Sequence, residues 1–192
     1  MKYGKLVVLG LILILVACGG YPIETNMSED VANFEFTTQD NEKLSLSDLE
    51  GEWWIADFVF TNCTTVCLPM TANMSQLQNK IKEENLDVQL ISFSVDPEND
   101  TPEVLKNYGE SYEADFSSWT FLTGYDFETI KELSIKSFKN LVSEPPEGSN
   151  QVTHGTSFFL VSPEGEVVKN YSGVNSSEIP SIISDLKKIN ES

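Results

Sequence analysis

Residues 53–60 read "WWIADFVF", an apolar and aromatic run broken by a single acid, and they pass directly into "FTNCTTVCLPM" at 60–70. A run of this kind fits a strand covered on both faces, as found inside a parallel sheet. The next segment has another period. From Pro69 to Glu84 the apolar residues fall at Met70, Met74, Leu77 and Ile81, one stripe of a helix. Strand, loop and helix therefore come in order, with Cys63 and Cys67 at the crossing from one to the next.

The alternation repeats downstream. "LDVQLISFSV" (86–95) is a second buried strand, and "DPENDTPEVL" then opens a helix. Thr101 is its cap, Pro102 its first helical position and Glu103 an acid in its first turn. "WTFLTG" (119–124) is a short third strand and "DFETIKELSIKSF" (126–138) another amphipathic helix. After a long loop rich in Pro, Gly and Ser come "SFFLV" (157–161), the turn "SPEG" (162–165) and "EVVKNY" (166–171), read as a hairpin. A closing helix runs from about 177 to 189. Upstream, "ANFEFTTQDNEKLSLSDL" alternates apolar and polar residues around Asp40-Asn41, the signature of an N-terminal hairpin. This order predicts an α/β protein of thioredoxin-like fold: an N-terminal β-hairpin and a central mixed sheet flanked by helices.

The first residues read as an address. Lys2 and Lys5 precede the apolar run 6–16, too short for a comfortable membrane span, and "LVAC" ends at Cys18. Small residues ahead of a cysteine resemble the lipobox of bacterial lipoproteins, in which Cys18 is lipidated and carries the chain on the outer face of the cell membrane. The expected division is a signal peptide at 1–17, a lipidated tether at 18–32 and one domain at 33–192, of a size that 192 residues allow.

Thirty acidic residues face twelve basic ones, all lysine, for a formal charge of −18. Such a chain is no partner for nucleic acid, whose binding needs cations to replace counterions. It is also repelled by anionic headgroups, so a lipid must hold it at the membrane. The acidity keeps the protein soluble or offers a docking face to a basic partner. With no arginine there is no guanidinium clamp. That counts against a peroxidase of the peroxiredoxin type, whose threonine and cysteine work beside an arginine.

Setting Cys18 aside leaves Cys63 and Cys67 as the only thiols and His154 as the only imidazole. The cysteines stand at the carboxyl edge of the sheet, where α/β proteins build their sites. A helix N-terminus there is expected to lower a thiol's pKa. A purely structural disulfide is the weaker reading, since so small a ring restrains the unfolded chain little. A lone histidine is often a surface residue. Yet His154 precedes the strand at 157–161, in a loop that a thioredoxin-like sheet lays beside the cysteine loop. Two sulfurs and one nitrogen fall short of the four ligands of structural zinc. They suit copper, above all Cu(I), and a Cys2His zinc site with an open position less well. Met70 and Met74 belong to the helical stripe, and Trp53 and Trp54 to the strand. Both pairs are read as core rather than as spare ligands or a cofactor platform.

"FTNCTTVCLPM", "SVDPENDTPEVLKNY" and "VTHGTSFFLVSPEGEVV" together resemble the Sco/SenC family of membrane-anchored copper proteins, from about Phe34 to Lys188. The resemblance implies that Cys63, Cys67 and His154 bind one copper ion, as Cu(I) and Cu(II). It implies service to the dinuclear copper centre of cytochrome c oxidase subunit II, by delivering the metal or by preparing that site's thiols. The family usually has proline directly after the second cysteine, where this chain has Leu68 and then Pro69. Asp96, within the second motif, is read as a residue behind the ligands or a docking residue, or as a turn acid that starts the next helix. Two functions stay in competition. One is a copper chaperone, a binding protein rather than a turnover enzyme. The other is a thiol-disulfide oxidoreductase whose catalytic pair is Cys63 and Cys67, for which His154 is dispensable or only tunes a thiolate's pKa.

Overall fold

The computed structural model describes residues 20–63 and 67–191; the expected signal peptide and Cys18 lie outside the described residues. Its strands are β1 (Glu29–Asp30), β2 (Glu35–Thr38), β3 (Lys43–Ser45), β4 (Trp54–Val59), β5 (Gln89–Ser94), β6 (Trp119–Thr123), β7 (Val142–Ser143), β8 (Thr153–His154), β9 (Ser157–Val161) and β10 (Glu166–Ser172). Its helices are α1 (Cys67–Glu83), α2 (Pro102–Ser111), α3 (Phe127–Phe138) and α4 (Ile179–Asn190). Eight strands form one sheet in the order β1-β10-β9-β4-β5-β6-β2-β3, and β7 and β8 form a small second ladder.

The run at 53–60 becomes the middle of that sheet. β4 pairs parallel with β5 from Trp54↔Gln89 to Val59↔Ser94, and antiparallel with β9 from Trp54↔Val161 to Ala56↔Phe159. All six of its residues are buried, Asp57 among them, as a strand covered on both faces requires. Trp54, Ala56 and Phe58 face α3, in a cluster with Phe93, Phe138 and Phe159. Ile55 and Val59 face the other way, toward Met70, Met74 and Leu77 of α1 and Leu186 of α4. Each of the larger aliphatic and phenyl side chains contributes about 1.5–3 kcal/mol by leaving water. The methionine stripe is core, as its spacing indicated.

α2 begins as expected, with Thr101 Oγ1 accepting from the Val104 N–H and Pro102 at the first position. α1 begins earlier than the apolar stripe indicated, at Cys67. Pro69 then falls within the first turn, where a backbone N–H has no partner to lose. Pro69 therefore breaks no hydrogen bond of the helix.

Two segments carry more structure than their composition signals. The long loop after α3 folds back on itself through β7 and β8, with Val142 opposite His154. Residues 20–32, read as a tether, lie against the domain. The Tyr21 ring meets Trp53 edge-on with centroids 5.5 Å apart, and its hydroxyl donates to Glu166 Oε2 at 2.8 Å. The amides of Asn26 and Met27 both donate to the Val168 carbonyl, and β1 adds a strand beside β10. No helix among the described residues is long and apolar enough to cross a membrane. The architecture is thioredoxin-like.

Candidate metal centre

β4 ends at Val59 and the chain turns tightly, the Cys63 N–H reaching the Phe60 carbonyl at 3.3 Å. Cys63 and Cys67 are both buried, and no disulfide joins them. The Cys67 N–H, at the start of α1, donates to Cys63 Sγ at 3.3 Å. The helix N-terminus is thus aimed at the first sulfur rather than the second.

β8 delivers the third group. His154 Nε2 stands 3.2 Å from Cys67 Sγ. Its Nδ1 lies 2.8 Å from the Gly155 carbonyl, which can only accept, so Nδ1 carries the proton. Nε2 is left with its lone pair toward the sulfurs, the arrangement a metal-ligating imidazole needs. Phe60 packs edge-on to the ring with centroids 5.7 Å apart. The donor atoms of Cys63, Cys67 and His154 all lie within 4.8 Å of one another, the one group of its kind among the described residues. The structure therefore brings together the three residues that the sequence separates by nearly a hundred positions.

Electrostatics departs from expectation at Cys67. Burial pushes this thiol well above the ordinary range, and the hydrogen bond to Cys63 adds to the effect. Burial thus favours the protonated thiol, against the pull of the helix start. A soft cation that replaces the proton removes that obstacle.

Three supporting residues left little trace in the sequence. Asp100, fully buried, accepts from Thr61 Oγ1 at 2.6 Å, from the Thr61 N–H, and from Ser94 Oγ at 2.6 Å. It ties the cysteine loop to the end of β5. Gly155 has no room for a side chain, because a Cβ there would collide with Asn140 Oδ1. Asp57 lies beneath the centre on β4, fully buried, taking a 2.5 Å hydrogen bond from Ser92 Oγ while its Oδ2 has no partner. Burial raises its pKa to about 7. The signal for Asp57 was the lone acid in "WWIADFVF".

Asp96 stands apart from the three donors. Its carboxylate receives the Asn99 Nδ2 donor at 2.9 Å and its carbonyl receives the amides of Asn99 and Asp100, a turn leading to α2. With Glu98, Glu144 and Glu147 it also lines a groove beside the His154 loop.

Known proteins share this sequence and fold. The sequence model of the SCO1/SenC family matches residues 24–191. A SCO1 protein homolog of Bacillus subtilis (strain 168) is 51% identical over 188 residues, 97% of each chain. A SCO1/SenC family lipoprotein from Bacillus anthracis str. Ames superposes with a TM-score of 0.81 at 48% identity, covering 84% of this chain and 95% of that one. BsSco, described as a member of the Sco family of cytochrome c oxidase assembly proteins and as having a disulfide switch, gives 0.80 at 50% identity, over 88% and 98%. Arabidopsis thaliana ScoI, solved with copper bound, gives 0.70 at 25% identity, over 82% and 98%. A match over most of the length, with two sulfurs and an imidazole drawn together in one fold, places this chain in the SCO1/SenC family.

Proposed function

We propose that the protein binds one copper ion through Cys63 Sγ, Cys67 Sγ and His154 Nε2 and passes it to the dinuclear copper site of cytochrome c oxidase subunit II. The observation that carries this reading is the group of three donor atoms within 4.8 Å, with the His154 tautomer fixed by Gly155 so that Nε2 presents its lone pair to the sulfurs. Two thiolates and an imidazole suit both Cu(I) and Cu(II). Copper is the cargo here rather than a resident cofactor. Three protein ligands leave a place for a ligand of the recipient, so the metal moves by stepwise exchange and is never released to water. The groove lined by Asp96, Glu98, Glu144 and Glu147, with no lysine along it, supports a docking role for Asp96 toward a basic partner. We further read residues 1–17 as a signal peptide and Cys18 as the lipidated residue that holds the domain, from about 33 onward, on the extracytoplasmic face. The lipobox and the lipoprotein relative from B. anthracis support this.

Anaerobic copper titration of the reduced soluble domain, followed by absorption and paramagnetic resonance, tests the reading. One equivalent with thiolate-to-copper charge transfer is expected, lost on changing any of the three ligands. Binding that persists without them removes it.

Thiol-disulfide exchange is the second reading, favoured by two cysteines four residues apart that form no disulfide with each other. A thiolate of the pair attacks a partner disulfide, the other resolves the mixed disulfide, and one internal disulfide forms as one partner disulfide becomes two thiols. The upward push on Cys67 works against thiolate attack from that residue. Complementation with His154→Ala separates the roles: full function favours exchange, and loss favours copper.

A further inference from the structure

Tyr21 is fastened at the end of the domain opposite the donor group. Its hydroxyl bonds Glu166 and lies 3.1 Å from Ser162 Oγ, and its ring meets Trp53. Ser162 follows Val161, the residue of β9 paired with Trp54 at the entry of β4. Cys63 lies beyond the exit of that strand, and Gln151 Nε2 on the His154 loop donates to the Asn62 carbonyl at the same exit. Six residues of strand separate entry from exit, a span of about 20 Å.

Only Gly19 and Gly20 stand between Cys18 and Tyr21. Three residue steps of fully extended chain reach at most about 11 Å. Turning the exit end onto a bilayer would lift Tyr21 about 20 Å from the headgroups, beyond what that leash allows. The entry end is itself rich in acid, with Glu164 and Glu166 at the β9–β10 turn and Glu50 and Glu52 flanking Gly51, whose N–H meets the Pro163 carbonyl there. Its lysines are engaged: Lys169 and Lys188 with Asp185, Lys187 with Glu84. An anionic surface repels such an end, so the leash holds the domain without embedding it.

We propose that the docked segment beginning at Tyr21 acts as an orienting strap. On a membrane, it keeps the donor group on average farther from the bilayer than the entry end, and never turned onto it. The partner this presentation fits is a protein domain carrying soft metal ligands clear of the headgroups, not a site at the bilayer surface. The proposal rests on the anchoring of Cys18 put forward above.

The test uses the full-length protein in phosphatidylcholine vesicles containing a short-range energy acceptor on the headgroups. A fluorophore is attached through a ketone-bearing residue placed at Glu164 (entry end) or at Glu147 (His154 loop), both exposed, so Cys63 and Cys67 stay native. Asn150 replaces Glu147 if that variant does not fold. Transfer several-fold stronger from position 164 is expected. A flexible insert of about 20 Gly/Ser residues between Gly20 and Tyr21, with an r.m.s. reach of about 25 Å, is expected to bring the two signals together. Equal or stronger transfer from position 147 in the uninserted chain overturns the proposal. Mass spectrometry of the N-terminal peptide from the same vesicles tells the two failures apart. Lipid on Cys18 with equal transfer defeats the strap alone, whereas a chain that carries no lipid and does not sediment with the vesicles defeats the anchoring and the strap together.

Discussion

Cys67 Sγ and His154 Nε2 meet at 3.2 Å although they lie 87 positions apart in the chain. Replacing the imidazole removes the hardest of the three donors, and Cu(II) depends on it more than Cu(I) does. His154→Ala is expected to weaken Cu(II) by more than the roughly 10–100-fold that losing a supporting partner costs a metal site. Cu(I), held by two thiolates, should lose less. Competition titrations in both oxidation states check this, and equal losses would count against a three-donor site.

Gly155→Ala probes how the ring is aimed. A methyl group there collides with Asn140 Oδ1, and the strain falls on the residue whose carbonyl holds His154 Nδ1–H. We expect about 10–100-fold weaker copper binding in a protein that still folds. Adding Asn140→Ala removes the obstruction and should recover part of the affinity, at the expense of the hydrogen bond from Asn140 Nδ2 to Ser134 Oγ.

Asp100→Ala tests the tie between the cysteine loop and β5. It leaves the Thr61 N–H and the Thr61 and Ser94 hydroxyls without their acceptor, and a stranded buried group costs about 1–3 kcal/mol. The variant should unfold at lower denaturant, with faster amide exchange at Thr61 than at strand amides elsewhere. Unchanged exchange at Thr61 would show that the loop does not need the carboxylate.

Asp57→Asn should change how stability depends on pH. The folded pKa of about 7 lies above the unfolded value near 3.8, so below about pH 4 the carboxyl is neutral in both states and costs nothing. As pH rises toward 7 the unfolded chain ionises and the folded one resists. Stability falls through that window, by an amount on the order of 4 kcal/mol, and is level above it. The asparagine variant lacks this loss while still offering Ser92 an acceptor. Melting temperatures at pH 5 and pH 8 should show its advantage growing with pH; an equal advantage at both would mean the carboxyl ionises freely.

Much of the fold was legible in the sequence because long periodic elements announce themselves. β4, β5, α1 and the β9–β10 hairpin fall where "WWIADFVF", "LDVQLISFSV", the methionine stripe and "SFFLV" placed them. The donor residues were legible by scarcity, since one imidazole and two thiols leave few combinations. β1, β7 and β8 were not, being two residues each and too short for any period to register. The state of Cys67 also escaped: a helix start favours thiolate, yet burial outweighs it, and burial is set by residues far along the chain. Asp100 and Gly155 look like ordinary turn residues until their neighbours in space are known.

The pairing of β4 with β9 has a consequence for timing. Cys63 and Cys67 emerge on one side of that pairing and His154 on the other, so an incompletely folded chain owns the sulfurs but not the complete trap. If the three donors hold copper as proposed, capture would report that the domain has closed, and each captured ion would in turn make reopening less favourable. Under the proposed copper binding, a half-folded copy stays empty, and loading waits until the architecture is finished.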